Sequence, residues 1–195
     1  GGAIRTTDLN GNLFMFSAPA AYLGDQSAAL GSSLRYDLLF EDDGLPPGSF
    51  HPDLVLHGAG LTLAVDGFTD PPAQTGAWTS VDVCLGTAAG WRIGDADGPL
   101  ATEQQILDVL GDLQGLFIRG DYWAGAETTR LDNVRLGARS PDLDGDGTVG
   151  FDDLLTLLAA WGSCPTPADG CGPDIDCSGT VDFDDLLTLL SAWTG

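Results

Sequence analysis

The sequence predicts a mostly β chain, an antiparallel β-sandwich over residues 1–139 followed by a small α-helical module over 140–195. Three observations carry this. Short runs of strand-forming residues alternate with Gly/Pro clusters through the first two thirds. One phrase is then written twice, DLDGDGTVGFDDLLTLLAAWG from Asp142 and DIDCSGTVDFDDLLTLLSAW from Asp174, with about fifteen of twenty-one aligned positions identical at an offset of 32. Finally, 29 acids face seven bases, every base is an arginine, and residues 141–195 contain none.

In chain order the strand-like pieces are LFMFSA from Leu13, SLRYDLLF from Ser33, DLVLHGAGLTLAV from Asp53, WTSVDVCL from Trp78, LFIRGDYW from Leu116 and LDNVRLG from Leu131. Turn chemistry separates them, most densely in EDDGLPPGSFHP and DGFTDPPAQTG. Many short strands at this spacing favour an antiparallel sandwich over a parallel sheet. The exception is ATEQQILDVLGDL from Ala101. There Thr102 can cap a helix whose Ile106, Leu107 and Leu110 share a face, and the helix is expected across one end of the sandwich.

Each repeat opens with carboxylates on alternate residues, the spacing that lets oxygens converge on a hard cation while a glycine turns the backbone. Asp142, Asp144, Asp146, Thr148 and Asp153 take loop positions one, three, five, seven and twelve of the first copy, with Gly147 at six. The second copy offers Asp174, Asp176, Ser178, Thr180, Asp182 and Asp185, with Gly179 at six; Ser178 is a poorer ligand, and Asp182 at position nine adds an oxygen. Position twelve holds Asp in both loops instead of the common Glu, a shorter arm that draws the coordination sphere tighter. Two calcium ions are expected, because magnesium retains its waters and rarely takes an all-protein cage. A helix follows each loop, its stripe formed by Leu154, Leu155, Leu157, Leu158 and Trp161 or by Leu186, Leu187, Leu189, Leu190 and Trp193. The two stripes are expected to pack on each other. Gly162 is a plausible stop for the first helix, and Pro141 and Pro173 leave no room for a helix before either loop.

Three cysteines, Cys164, Cys171 and Cys177, crowd the link between the repeats, where one disulfide among them is expected and Cys84 is expected as a buried free thiol. The pairing within the three stays open. The acidic surface argues against nucleic acid and anionic membranes as partners, and no apolar run is long enough to span a bilayer. The chain starts at Gly1 without an initiator Met or a leader and reads as a processed or trimmed product.

The duplicated loop and helix of residues 142–195 resembles a dockerin, a module that plugs secreted proteins into a partner called a cohesin. By that likeness Asp142, Asp144, Asp146, Asp153, Asp174, Asp176, Ser178 and Asp185 are metal ligands. Phe151–Asp152 and Phe183–Asp184 depart from the residues with which many dockerins read their partner. The ordered set SAPAAYLGDQSAALGSSLRYDL, DLVLHGAGLTL, Trp78, GWR at Trp91, the helix before LFIRGDY and LDNV at Asp132 resembles a laminin B domain over residues 13–137. That resemblance implies a jelly-roll sandwich akin to carbohydrate-binding modules and matrix proteins, without enzymatic activity. In bacterial relatives a further stretch precedes the start of this chain, and a missing edge strand would leave an open sheet edge as a docking surface.

Other candidate sites divide between function and structure. Trp78, Trp91, Tyr122 and Trp123 form either a sugar-stacking platform or core filling. Asp132 is a candidate ligand for a third calcium in the sandwich, or a turn acid. Asp95 and Asp97 mimic half a calcium loop and read as a plain turn. Neither His51 nor His57 has a nucleophile at a recognised spacing, which leaves no catalytic residue to name. The sequence therefore points to an extracellular, secreted, calcium-dependent assembly protein with no enzymatic role. Its docking module grips either a cohesin-like domain or the next identical chain, building a filament or tube. The rival expectation is a carbohydrate-binding or adhesion module carried on a cohesin-bearing scaffold, with a glycan as partner.

Overall fold

The computed structural model describes residues 2–8, 13–42, 52–66, 76–123, 125–164 and 171–195; His51 and most of the two Gly/Pro clusters lie outside the described residues. Among the described residues of the first two thirds, nine strands build two antiparallel sheets. They are β1 (Ile4–Asp8), β2 (Met15–Ser17), β3 (Ser33–Asp42), β4 (Leu54–Gly58), β5 (Leu61–Val65), β6 (Trp78–Cys84), β7 (Arg92–Ile93), β8 (Leu113–Arg119) and β9 (Glu127–Gly137). One sheet has the order β1-β9-β3-β6 and the other β2-β8-β4-β5-β7. β1 is not among the strand-like pieces read from the sequence; it forms one edge of the four-stranded sheet.

Period-two alternation explains the sandwich. Along β3 the residues Leu34, Tyr36, Leu38 and Phe40 are buried while Arg35 and Glu41 point outward, and Val81, Val83, Leu54, Leu56, Leu63, Leu116 and Ile118 join them in one core. Each such side chain contributes about 1.5–3 kcal/mol when fully buried. Trp91, Tyr122 and Trp123 belong to this core, with Phe40 at 4.8 Å from the Tyr122 ring in an edge contact. A buried ion pair, Arg119 to Asp53 at 3.3 Å, is completed by Tyr122, whose hydroxyl donates to Asp53 at 2.9 Å. The pair is surrounded by hydrogen bonds, as burial of charge requires.

Helix α1 (Glu103–Gly111) begins at Thr102, which accepts from the Gln105 amide while the Gln105 side chain accepts from Thr102 N–H, a capping box. Ile106, Val109 and Leu110 are its buried residues. The helix end comes so close to β4 that a Cβ on Gly58 would meet the carbonyl oxygens of Val109 and Asp112 at 2.5 Å. Only glycine fits there.

The last third holds α2 (Phe151–Ala159), α3 (Phe183–Ser191) and the short strands β10 (Gly162–Ser163) and β11 (Thr180–Val181). Its own small core contains Val149, Leu157, Ile175, Val181 and Leu189. The repeats clasp each other reciprocally. β10, after the first helix, pairs with β11 in the second loop, and the Thr194 amide, after the second helix, donates to Val149 of the first loop at 3.0 Å.

The disulfide expectation is corrected. Cys177 bonds to Cys84 across 93 positions, and Cys164 and Cys171 are free thiols. Cys84 ends β6 beside the second loop, so the bridge joins the tail to the sandwich instead of closing the inter-repeat link. Arg139, just past β9, reinforces this junction by donating to the carbonyls of Cys171 at 2.6 Å and Asp174 at 2.8 Å.

Candidate metal centre and docking face

Each loop brings three of its carboxylates together. Asp142, Asp144 and Asp146 offer oxygens lying within 4.8 Å of one another, and Asp174, Asp176 and Asp185 do the same. That separation is about twice a calcium–oxygen bond, so both donor sets fit a hard cation. Local geometry explains the clustering. Gly145 and Gly147 have φ of +76° and +92°, which folds the first loop back on itself. The Asp142 carboxylate accepts from the amides of Gly145 and Gly147, at 2.9 and 3.1 Å, and Asp174 likewise accepts from Ser178 and Gly179, at 2.9 and 3.0 Å. At loop position four the second copy has Cys177 in place of Gly145, and it too is left-handed, with φ +60°.

The position-twelve aspartates organise their loops. Asp153 accepts from the amides of Leu143, Asp144 and Gly150, and Asp185 from those of Ile175, Asp176 and Asp182, all between 2.6 and 3.2 Å. Both are buried. Asp153 stands outside the three-carboxylate cluster of its loop, whereas Asp185 is a member of its own. Asp182 caps α3, its side chain accepting from the Asp184 amide at 2.9 Å. Thr148 and Thr180 stand at the seventh positions, and Ser178 donates its hydroxyl to the Thr180 carbonyl at 3.0 Å.

Electrostatics separates the loops further. Burial is the main reason that the carboxyls of Asp174 and Asp185 lie above the ordinary carboxylate range, with Asp185 pressing on Asp174 and Asp176 on Asp185. At exposed Asp144 the hydrogen bond from the Asp146 amide lowers the carboxyl, but slight desolvation and the charges of Asp146, Asp153 and Asp142 together leave it raised. Asp153 is held low, chiefly by the Gly150 amide. Crowded carboxylates of this kind gain from a cation that neutralises them.

The stripes do not pack on each other as a whole. Leu157 and Leu189 are buried and Leu154 and Leu186 partly so, but Phe151, Leu155, Leu158 and Trp161 are exposed, as are Phe183, Leu187, Leu190 and Trp193. The reason is angular. At 100° per residue the four leucines of each helix cover an arc of roughly 160°, more than a single neighbouring helix can bury. Phe151, Leu155 and Leu158 share about 60° of arc on the solvent side. The same surface is thus presented twice.

The remaining candidates fall elsewhere. Trp91, Tyr122 and Trp123 fill the core, and Trp78 alone of the four aromatics is exposed, at 47%. Asp132 lies in β9 beside a bulge, accepts from the Asn133 amide at 2.8 Å, and belongs to neither carboxylate cluster. Asp95 accepts from the Asp97 amide in a turn. His57 is exposed on β4 with its ring 5.2 Å from Phe117. Sequence reading missed a group of buried carboxylates, Asp8, Asp121 and Glu127. Glu127 accepts from the amides of Tyr122 and Trp123 at 2.8 and 2.7 Å. The register of β1 against β9, which sets Asp8 opposite Glu127, was the missing signal.

Residues 15–149 match the laminin B (domain IV) family, and the chain belongs to it. The match runs from β2 into the first acidic loop, further than the 13–137 read from sequence. The chain is 22% identical over 124 residues to human laminin subunit alpha-1, covering 63% of this chain and 4% of that protein. It is 28% identical over 130 residues to the mouse basement membrane-specific heparan sulfate proteoglycan core protein, covering 66% of this chain and 3% of that one. It therefore spans a small fraction of both relatives. The solved L4b domain of human laminin alpha-2 superposes with a TM-score of 0.55 at 18% identity, covering 63% of this chain and 69% of that domain, which shows a shared fold. No helix among the described residues is long and apolar enough to cross a membrane.

Proposed function

We propose that this is an extracellular, non-enzymatic structural protein whose last third, residues 140–195, is a dockerin-like, calcium-dependent docking module attached to a jelly-roll laminin B sandwich over 1–139. The observation that carries the reading is the repetition of one arrangement, three converging carboxylates feeding a helix with an exposed apolar arc. In the metal ligand set, Asp142, Asp144, Asp146 and Asp153 hold one calcium and Asp174, Asp176, Ser178 and Asp185 the other. The matrix relatives support an extracellular, structural role.

The ions neutralise carboxylates that otherwise repel, fix the helices, and so hold the two apolar arcs in one orientation. A second copy of the chain is the partner preferred here, because the chain carries a docking module and a sandwich with no catalytic group to deliver, and a contact that does not close on itself builds a filament or tube. A glycan partner is less well supported, since three of the four aromatics that would form its platform are buried.

Electron microscopy and sedimentation of the purified chain in millimolar calcium, then in excess chelator, test this. Extended assemblies that disperse on chelation are expected. A monomer in calcium at every concentration would move the partner to a cohesin-like domain. Circular dichroism and sedimentation that ignore the chelator would sink the calcium reading.

A further inference from the structure

We propose that an apolar pocket at the β1/β2 edge of the sandwich receives the ring of Phe151 or Phe183 from a second copy of the chain. The pocket has a volume of about 210 Å³ and lies between the two sheets. Ile4, Leu131 and Val134 reach it from the four-stranded sheet, and Phe16 and Leu116 from the five-stranded one. Among the described residues no charged side chain lines it. Tyr22 closes one side, its hydroxyl donating to the Val134 carbonyl at 3.1 Å, so the polar atom is satisfied and the ring is left to the pocket. Protein interiors are close-packed, and an apolar space of this size calls for an occupant. An apolar cavity of about 150 Å³ holds a benzene ring, so this one has room for a phenylalanine. Solvent reaches it, since Ile4 at its edge is 60% exposed.

Charge selects the occupant. Phe151 and Phe183 open the two docking helices at 64% and 61% exposure, and each stands beside an exposed aspartate, Asp152 or Asp184. Residues 141–195 contain no base. Arginines gather beside the pocket instead. Arg5 follows Ile4 and lies opposite Arg130 in the β1–β9 register, and exposed Arg135 follows Val134. Asp132 is the one acid next in sequence to a lining residue, and Arg130 also meets Glu41 at 2.7 Å. Three arginines against two acids make a locally basic rim on a chain of net charge −22, and an acidic segment bearing an exposed ring complements it.

Donor and receiver are attached at different edges. β1 and β2 are the end strands of their sheets on the side of the pocket, whereas Cys84, which holds the tail, ends β6 at the other edge of the four-stranded sheet. Each copy thus offers rings on one surface and a pocket on another, a heterologous contact that adds copies in sequence. This rests on the reading of the tail as a docking module for a second copy, and it names what that module grips.

Sedimentation of the whole chain in millimolar calcium, with receiver and donor variants, decides the question. Ile4→Glu sets a carboxylate at the pocket edge, and Ala18→Phe fills the pocket with a ring of its own. Phe151→Ser combined with Phe183→Ser removes the donor. Circular dichroism and thermal unfolding check that each variant keeps its fold, and either receiver variant suffices for the test. The unaltered chain should assemble and each variant alone should sediment as a monomer. Ile4→Glu mixed with the double phenylalanine variant should give a dimer and nothing larger, because only one pocket and one set of rings remain usable. Receiver variants that assemble as the unaltered chain does would overturn the pocket while leaving self-assembly of the tail in place. A mixture that stays monomeric would refute the pairing, and an unaltered chain that stays monomeric would overturn both the pocket and the self-assembly on which it rests.

Discussion

The two repeats share most of their residues yet live in different surroundings. The first loop is open, with Asp144 and Asp146 exposed, whereas the second lies against the sandwich. There, Cβ atoms added to Gly31, Gly86 and Gly179 would each sit 3.3 Å from an atom across the junction, respectively the Asp176 carbonyl, the Cys177 carbonyl and the Ala88 methyl. One local code thus yields two settings, and the setting decides burial, charge state and anchoring. The left-handed position held by Gly145 in the free copy is held by disulfide-bonded Cys177 in the docked one. Duplication supplied two equal units, and tertiary contact made them unequal.

The largest test of that inequality removes the covalent anchor. Replacing Cys84 and Cys177 together by serine frees a loop spanning 93 positions and should cost about 4 kcal/mol in denaturant unfolding followed by fluorescence. A loss confined to the first repeat would contradict the asymmetry.

Next, Asp185→Ala strands three amides around buried Ile175 and should cost roughly 2–4 kcal/mol, while Asp153→Ala, around half-buried Leu143, should cost roughly 1–2 kcal/mol. Each should also remove one of two calcium equivalents in calorimetric titration, and each should weaken assembly more than any tryptophan change in the sandwich. Equal costs would mean that the sandwich does not buttress the second loop.

A comparison by pH sets the sandwich against the tail. Burial raises Glu127 to about 7 against the lowering hydrogen bonds from the Tyr122 and Trp123 amides, and burial followed by the Asp8 charge raises Asp121 to about 6. A carboxyl raised in the fold favours folding when protonated. That contribution is complete below the ordinary Glu value of 4.5 and disappears as pH rises through about 7. In chelator the sandwich should lose on the order of 2 kcal/mol across that window, and Glu127→Gln should flatten the slope.

The smallest expected effect is on folding stability from Trp161→Ala or Trp193→Ala, each within about 0.5 kcal/mol because both rings face solvent. The same changes should reduce assembly in calcium, measured by sedimentation. Unchanged assembly would remove the exposed arcs from the docking face.

What could be read from sequence followed the range of the signal. Thr102 as a cap, the alternation of β3 and the clustering of three carboxylates in each acidic loop are encoded within a dozen residues. β1 was missed because Ile4-Arg5-Thr6-Thr7-Asp8 carries one apolar residue and becomes a strand only by pairing with β9. The disulfide was misassigned because proximity in sequence favoured the three clustered cysteines, while connectivity depends on β6 ending beside the second loop. The helix stripes were legible as apolar. How much of each would be covered depended on having only one helical neighbour.

The bond between Cys84 and Cys177 also sets a mechanical route. Tension applied between a partner gripping α3 and a neighbour holding β1 can pass through sulfur directly into β6 and across β3 and β9 to β1, leaving the α1 helix, β8 and the first acidic loop off the direct line of load. A chain wired in this way would stay fastened end to end even if its first acidic loop came open.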